Sequence, residues 1–103
     1  MIKAGADKNE KDDEKGATPL HWAAWKGQTD IVKLLLDAGA NTEVKNKWDG
    51  DTPLHCAAWE GHTDNVKLLL DAGADKEVEN NWGWTPLNVA AKGGHFACVR
   101  LLR

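Results

Sequence analysis

The residues of this 103-residue chain whose types could support nucleophilic or metal chemistry are His21, His55, His62, His95, Cys56 and Cys98. Thiolates and imidazoles do such work when several converge on one point, as zinc ligands or as a nucleophile beside its base. Here they are spread along the chain at recurring intervals, so the spacing argues for places in a lattice and against a reaction centre. His55 adjoins Cys56, but consecutive helical residues point about 100° apart, which disfavours mutual activation. No glycine-rich phosphate loop or paired catalytic carboxylates accompany them. The chain reads as non-enzymatic, without a cofactor and without a metal.

The elements that carry these residues follow from repetition. Thr18, Pro19, Leu20 and His21 return as Thr52, Pro53, Leu54 and His55, and in weaker form as Thr85, Pro86, Leu87 and Asn88. The first interval is thirty-four residues and the second thirty-three, the size of one supersecondary unit stacked on the next. Each Thr stands where its hydroxyl can cap a helix and each Pro at the first helical position, which predicts helix starts near 18, 52 and 85. Leu20, Ala23, Ala24 and Gly27 then form an apolar stripe whose small side chains allow close packing. Ile31, Val32, Leu34, Leu35 and Leu36 give a second helix a broader apolar face, and Gly39 or Gly73 follows as a left-handed cap. The third copy departs most. Phe96 occupies the slot of Thr29 and Thr63, which could cap the second helix, and the loop before Thr85 lacks one residue; in the second copy Asn65 occupies the slot of Ile31.

These motifs, together with Val32, Lys33, Leu34, Leu35 and Leu36 and with Ala72, Gly73, Ala74 and Asp75, resemble the ankyrin repeat over nearly the whole chain. The resemblance implies an all-α solenoid of stacked antiparallel helix pairs with projecting hairpin-like loops. It divides a single domain, 1–103, into the loop and end of an upstream repeat (1–17), repeat 1 (18–51), repeat 2 (52–84) and a partial repeat 3 (85–103). Ala4, Gly5, Ala6 and Asp7 fall on the slots of residues 38–41. It further implies that His21 and His55 bond the Thr hydroxyl and a neighbouring loop, and that residues 41–50 and 75–83 form β-hairpin-like fingers.

Six tryptophans without a tyrosine are the remaining signal. Trp25 and Trp59 follow the Ala pairs, about 140° around the helix from Leu20, and should line the concave face. Trp48, Trp82 and Trp84 sit in the fingers. Trp22 shares its slot with Cys56 and Val89 and is expected to pack. Carried over from the family, the contact set for a protein or peptide partner is Glu14, Lys15, Ala17, Trp48, Asp49, Asp51, Asn81, Trp82 and Trp84 on the loops, with Trp25, Lys26, Trp59, Glu60 and Lys92 on the first helices. Aromatic anchors beside isolated charges match the composition of a protein interface. A competing reading has the tryptophans cover one another, with Trp25 stacked on Trp59, in a structural segment of a longer array or in a self-associating or engineered scaffold without its own partner. The uncapped ends leave end-to-end self-association open.

Composition narrows the partners. A formal net charge of -3 with no basic cluster argues against nucleic acid. No apolar run approaches the roughly 20 residues of a membrane span, so no membrane is expected. Cys56 and Cys98 read as small apolar fillers of a reducing, intracellular setting, cytoplasmic or nuclear, or the host cytoplasm if the chain belongs to a secreted effector.

Overall fold

A computed structural model describes residues 16–103. The continuation of an upstream repeat through Ala4, Gly5, Ala6 and Asp7, and the contact residues Glu14 and Lys15, lie outside them. Six helices follow one another: α1 (Pro19–Lys26), α2 (Thr29–Asp37), α3 (Pro53–Glu60), α4 (Thr63–Asp71), α5 (Pro86–Lys92) and α6 (Phe96–Leu102). They form two layers. α1, α3 and α5 pack side by side in one, and α2, α4 and α6 in the other. Leu20, Leu54, Val32, Val66, Leu35 and Leu69 are buried between the layers, and Ala23, Ala24, Ala57, Ala58 and Ala90 are buried with them. The small alanines let the helices of a layer approach closely, and the burial of the leucines and valines removes apolar surface from water.

Helix starts fall where the Thr-Pro pairs place them. Thr18 Oγ1 accepts from the His21 N–H at 3.4 Å, and the Thr18 N–H donates to His21 Nδ1 at 3.0 Å. Thr52 with His55, and Thr85 with Asn88, repeat this reciprocal cap. His21 Nε2 also lies 2.9 Å from the Asp51 carbonyl and His55 Nε2 lies 2.8 Å from the Trp84 carbonyl. A carbonyl only accepts, so Nε2 carries the proton and Nδ1 is left as the acceptor the cap requires. One neutral imidazole therefore ties its own helix start to the finger of the next repeat.

The other two histidines act at the opposite helix end. His62 Nε2–H donates to the Trp25 carbonyl and His95 Nε2–H to the Trp59 carbonyl, each at 2.9 Å. These carbonyls belong to the last turns of α1 and α3, where helical partners run out. Gly27 ends α1 at φ 74°, and a Cβ there would come within 2.7 Å of the His62 ring. Glycine is needed for the left-handed turn and for the ring's approach together.

Three expectations are revised. Thr29 and Thr63 begin α2 and α4 without a side-chain cap bond, because Gln28 and His62 hold the N-cap positions. Phe96 therefore removes no cap; it stands 75% exposed. The fingers contain no strands among the described residues; the first is closed by the bond from the Asn46 N–H to the Asp51 carbonyl and the second by that from the Asn80 N–H to the Trp84 carbonyl, both 2.9 Å. Asn65 is accommodated in its apolar slot by donating to the Ala24 carbonyl at 3.4 Å.

Asn88 shows which part of the imidazole tie an asparagine keeps: its Oδ1 accepts from the Thr85 N–H at 2.9 Å. His55→Asn should retain that cap and lose the bond to Trp84, costing about 1–2 kcal/mol in urea denaturation. His55→Ala should cost about 1 kcal/mol more, the worth of the cap. Equal stability of the two variants contradicts this division of labour.

Candidate functional site: an aromatic groove with acidic walls

A groove of about 250 Å³ opens between α1, α3 and the first finger. Four tryptophans line it, Trp22, Trp25, Trp48 and Trp59, together with the acidic residues Asp49, Asp51 and Glu60. Ala17, His21, Asn46 and Cys56 complete the lining. The helices supply Trp22 and Trp25 from successive turns of α1, with ring centroids 5.6 Å apart, and Trp59 and Glu60 from the end of α3.

Hydrogen bonds in the first finger fix the acidic wall. Asn46 Oδ1 accepts from the backbone N–H groups of Asp49 and Asp51, both at 3.2 Å. The Asp51 carboxylate accepts from Asn80 Nδ2 at 2.9 Å and from the Trp59 indole N–H at 3.1 Å. The Asp49 carbonyl accepts from the Asn81 N–H at 2.7 Å, joining the two fingers. Trp59 is thereby held at both ends, its backbone carbonyl by His95 and its indole by Asp51.

The predicted contact residues separate into groups. Trp25 and Trp48 stand out at 42% and 57% exposure on the groove's rim, and Glu60 is exposed beside them. Asp51 was expected as a surface contact, yet it is only 3% exposed, because two donors and the neighbouring finger enclose it; Ala17 is buried as well. Trp59 is half-buried against the core and tilts onto Trp84, 5.8 Å between centroids. Lys92 reaches over the Trp84 ring at 5.2 Å. Lys26, Trp82, Trp84 and Lys92 are not in the groove's lining, while Trp82 and Asn81 sit exposed on the second finger. The tryptophans pair as Trp22 with Trp25 and Trp59 with Trp84, not as Trp25 with Trp59. Trp22, expected only to pack, joins the lining; its position three residues before Trp25 was the available signal, since such neighbours share a helix face.

Reactive chemistry finds little footing. Burial pushes the Cys56 thiol up, and the nearby carboxylates of Asp51, Asp49 and Glu60 push further, so the nucleophilic thiolate is suppressed. Cys56 and Cys98 are both free thiols. Among the described residues no group of three or more His, Cys, Asp or Glu is placed to hold a metal ion. No described helix is long and apolar enough to cross a membrane.

Two buried groups give stability opposite pH dependences. Burial pushes His55 below its ordinary 6.5, against the bond to the Trp84 carbonyl, which pulls it up. The stability of its neutral form is complete above pH 6.5 and lost as pH falls through the lower folded value. Burial and then the Asp49 charge raise Asp51 from 3.8 to about 6, while its bonds from Asn80 and Trp59 restrain the rise. The folded chain therefore binds more protons than the unfolded one between these values, and Asp51 costs stability as pH rises through them. Relative to the native chain, Asp51→Asn should become progressively more stable between about pH 4 and about pH 6 and then level off, as read by thermal unfolding across that range. A stability difference that does not vary with pH contradicts the burial of the Asp51 charge.

Comparison with known families supplies the context of this geometry. A model of ankyrin repeats in three copies matches residues 1–80, and a second, of ankyrin repeats in many copies, matches residues 60–103. No curated protein matches the chain. Ankyrin repeats are generally protein-interaction modules and non-enzymatic scaffolds. Stacked helix pairs, Thr-Pro caps and imidazole ties between repeats agree with the family matches, and the chain belongs to the ankyrin repeat family.

Proposed function

We propose that the chain binds a protein or peptide partner through the groove between α1, α3 and the first finger, and performs no reaction of its own. The observation that carries this reading is the pair of tryptophans, Trp25 and Trp48, exposed on the rim of a cavity whose other walls are held by hydrogen bonds. Large aromatic side chains left in water beside a concavity are the usual mark of a contact surface. Trp59 and Trp84 act in this reading as supports for the anchors. Because Asp51, Asn46 and His95 fix the walls in advance, little ordering cost falls on binding. Trp82, 66% exposed on the second finger, would extend the surface beyond the groove. The two free cysteines suit a partner met in a reducing, intracellular compartment.

Affinity capture followed by titration tests the reading. A partner captured by the native chain should bind a Trp25→Ala, Trp48→Ala variant more weakly by at least about 1 kcal/mol, on the scale of anchor residues. Circular dichroism should show the variant as helical as the native chain, since neither ring is buried in the core. Unchanged affinity of a folded variant contradicts the proposal.

A further inference from the structure

Packing alone does not tell the first two repeats apart. Leu20 and Leu54, Ala24 and Ala58, and Val32 and Val66 fill the same slots, and all are buried. The histidine ties recur at both seams as well, from His62 to the Trp25 carbonyl and from His95 to the Trp59 carbonyl. Apolar contacts are non-directional, so either repeat offers much the same surface to whatever stacks on it. Repeats so alike are prone to misassembly between copies, a characteristic failure of repeat proteins.

One slot differs from seam to seam. Asn65, in α4, is wholly buried where the first repeat has Ile31 and the third has Cys98. Its Nδ2 donates across the seam to the Ala24 carbonyl at 3.4 Å, while its Oδ1 is buried without a hydrogen-bond partner among the described residues. A carbonyl only accepts, so the amide nitrogen is the end that must face Ala24. The arrangement is costly. One long bond is gained and one buried acceptor is left over, where an apolar side chain would leave none.

The carbonyl that Asn65 meets is distinctive too. The Gly27 N–H, which closes α1, donates to the Ala23 carbonyl, and the Gln28 N–H donates to the same carbonyl at 3.0 Å. The Ala24 carbonyl is thereby left to Asn65. Helix α3 ends differently: its closing Gly61 N–H reaches both the Ala57 and the Ala58 carbonyls, the latter at 3.3 Å. Ala58 is the counterpart of Ala24, and its own helix already engages it. The third repeat brings no amide to that seam. Cys98 holds the slot, buried, with its Sγ 3.6 Å from Thr63 Oγ1.

We propose that Asn65 is a pairing device, which commits the second repeat to stack on the first repeat of its own chain and disfavours stacking on the second repeat of another copy. Set against α3 of a second copy, its Nδ2 would meet a carbonyl that Gly61 already holds, and both ends of the buried amide would be poorly satisfied. The cost of the leftover Oδ1 is then the cost of specificity. A single buried asparagine sets register and partner number in coiled coils at a similar expense of stability.

The test compares the full chain with two apolar variants, Asn65→Ile and the smaller Asn65→Val, and with the exchange variant Asn65→Cys, Cys98→Asn, all under reducing conditions. Urea denaturation reads stability. Sedimentation after refolding from urea at about 100 µM reads assembly, in the concentration range where misassembly competes. The better-packed apolar variant should raise the urea midpoint and leave at least about ten-fold more of the refolded chain as dimer, because no unsatisfied amide penalises the foreign seam. The exchange variant keeps the composition but sets the amide at the seam whose carbonyl is engaged, so its midpoint should fall below that of the native chain. Apolar variants that are stabler and refold as monomeric as the native chain would overturn the pairing role. A midpoint lowered in both apolar variants would overturn it as well, since Asn65 would then be a stabilising bond and nothing more. An exchange variant as stable as the native chain would show that the two carbonyls do not discriminate.

Discussion

The imidazole that donates to a carbonyl of the neighbouring repeat is the interaction on which this structure turns. An ankyrin repeat buries only part of its apolar surface within its own helix pair, so it is stable chiefly through the next repeat. Leucine and alanine packing supplies the attraction but little direction, because apolar contacts are roughly non-directional. The four histidines supply direction. His21 and His55 fix each helix start against the following finger, and His62 and His95 fix the preceding helix end. In His21 and His55 a single tautomer serves both ring bonds, and an imidazolium at His55 would forfeit the cap. Residues that looked capable of chemistry thus spend their hydrogen-bonding capacity on register.

The groove inherits its shape from those ties. The carbonyl that His21 engages belongs to Asp51, whose side chain in turn holds the Trp59 indole and Asn80. The carbonyl that His95 engages belongs to Trp59 itself. A path of hydrogen bonds therefore runs from the helix caps through the acidic finger to the aromatic wall. Trp25 is anchored by its backbone to His62 but presents its ring to solvent. The result is a surface with a fixed wall and an exposed rim, an arrangement that favours recognition because the wall is ordered before a partner arrives.

Much of the fold was legible because the signals were local and repeated. Thr18, Thr52 and Thr85 announce helix starts through cap chemistry that needs only three residues of context, and Gly39 or Gly73 announces an end. The site was legible only in part. Trp25 and Trp48 could be placed outside the core from helical angle and loop position, but the burial of Asp51 depends on Asn80, twenty-nine residues away. No local pattern encodes that pairing. Trp22 was assigned to packing from the residues that share its slot, and it reaches the groove because α1 turns it beside Trp25. His62 and His95 read only as places in the repeated lattice, without a partner to name, since their bonds cross between repeats. The missing residue in the second finger was visible in the spacing; that its counterpart in the first, Asp49, lines the groove needed the fold.

That the aromatic wall is set in place before any partner binds can be tested on the free chain by hydrogen exchange of the tryptophan indole N–H groups. The bond from Trp59 to Asp51 predicts that the Trp59 indole exchanges far more slowly than those of the exposed Trp25 and Trp82, and that Asp51→Ala abolishes the difference. Exchange of Trp59 as fast as the exposed rings in the native chain would mean that the wall is not held, and a preorganised groove would no longer describe this protein.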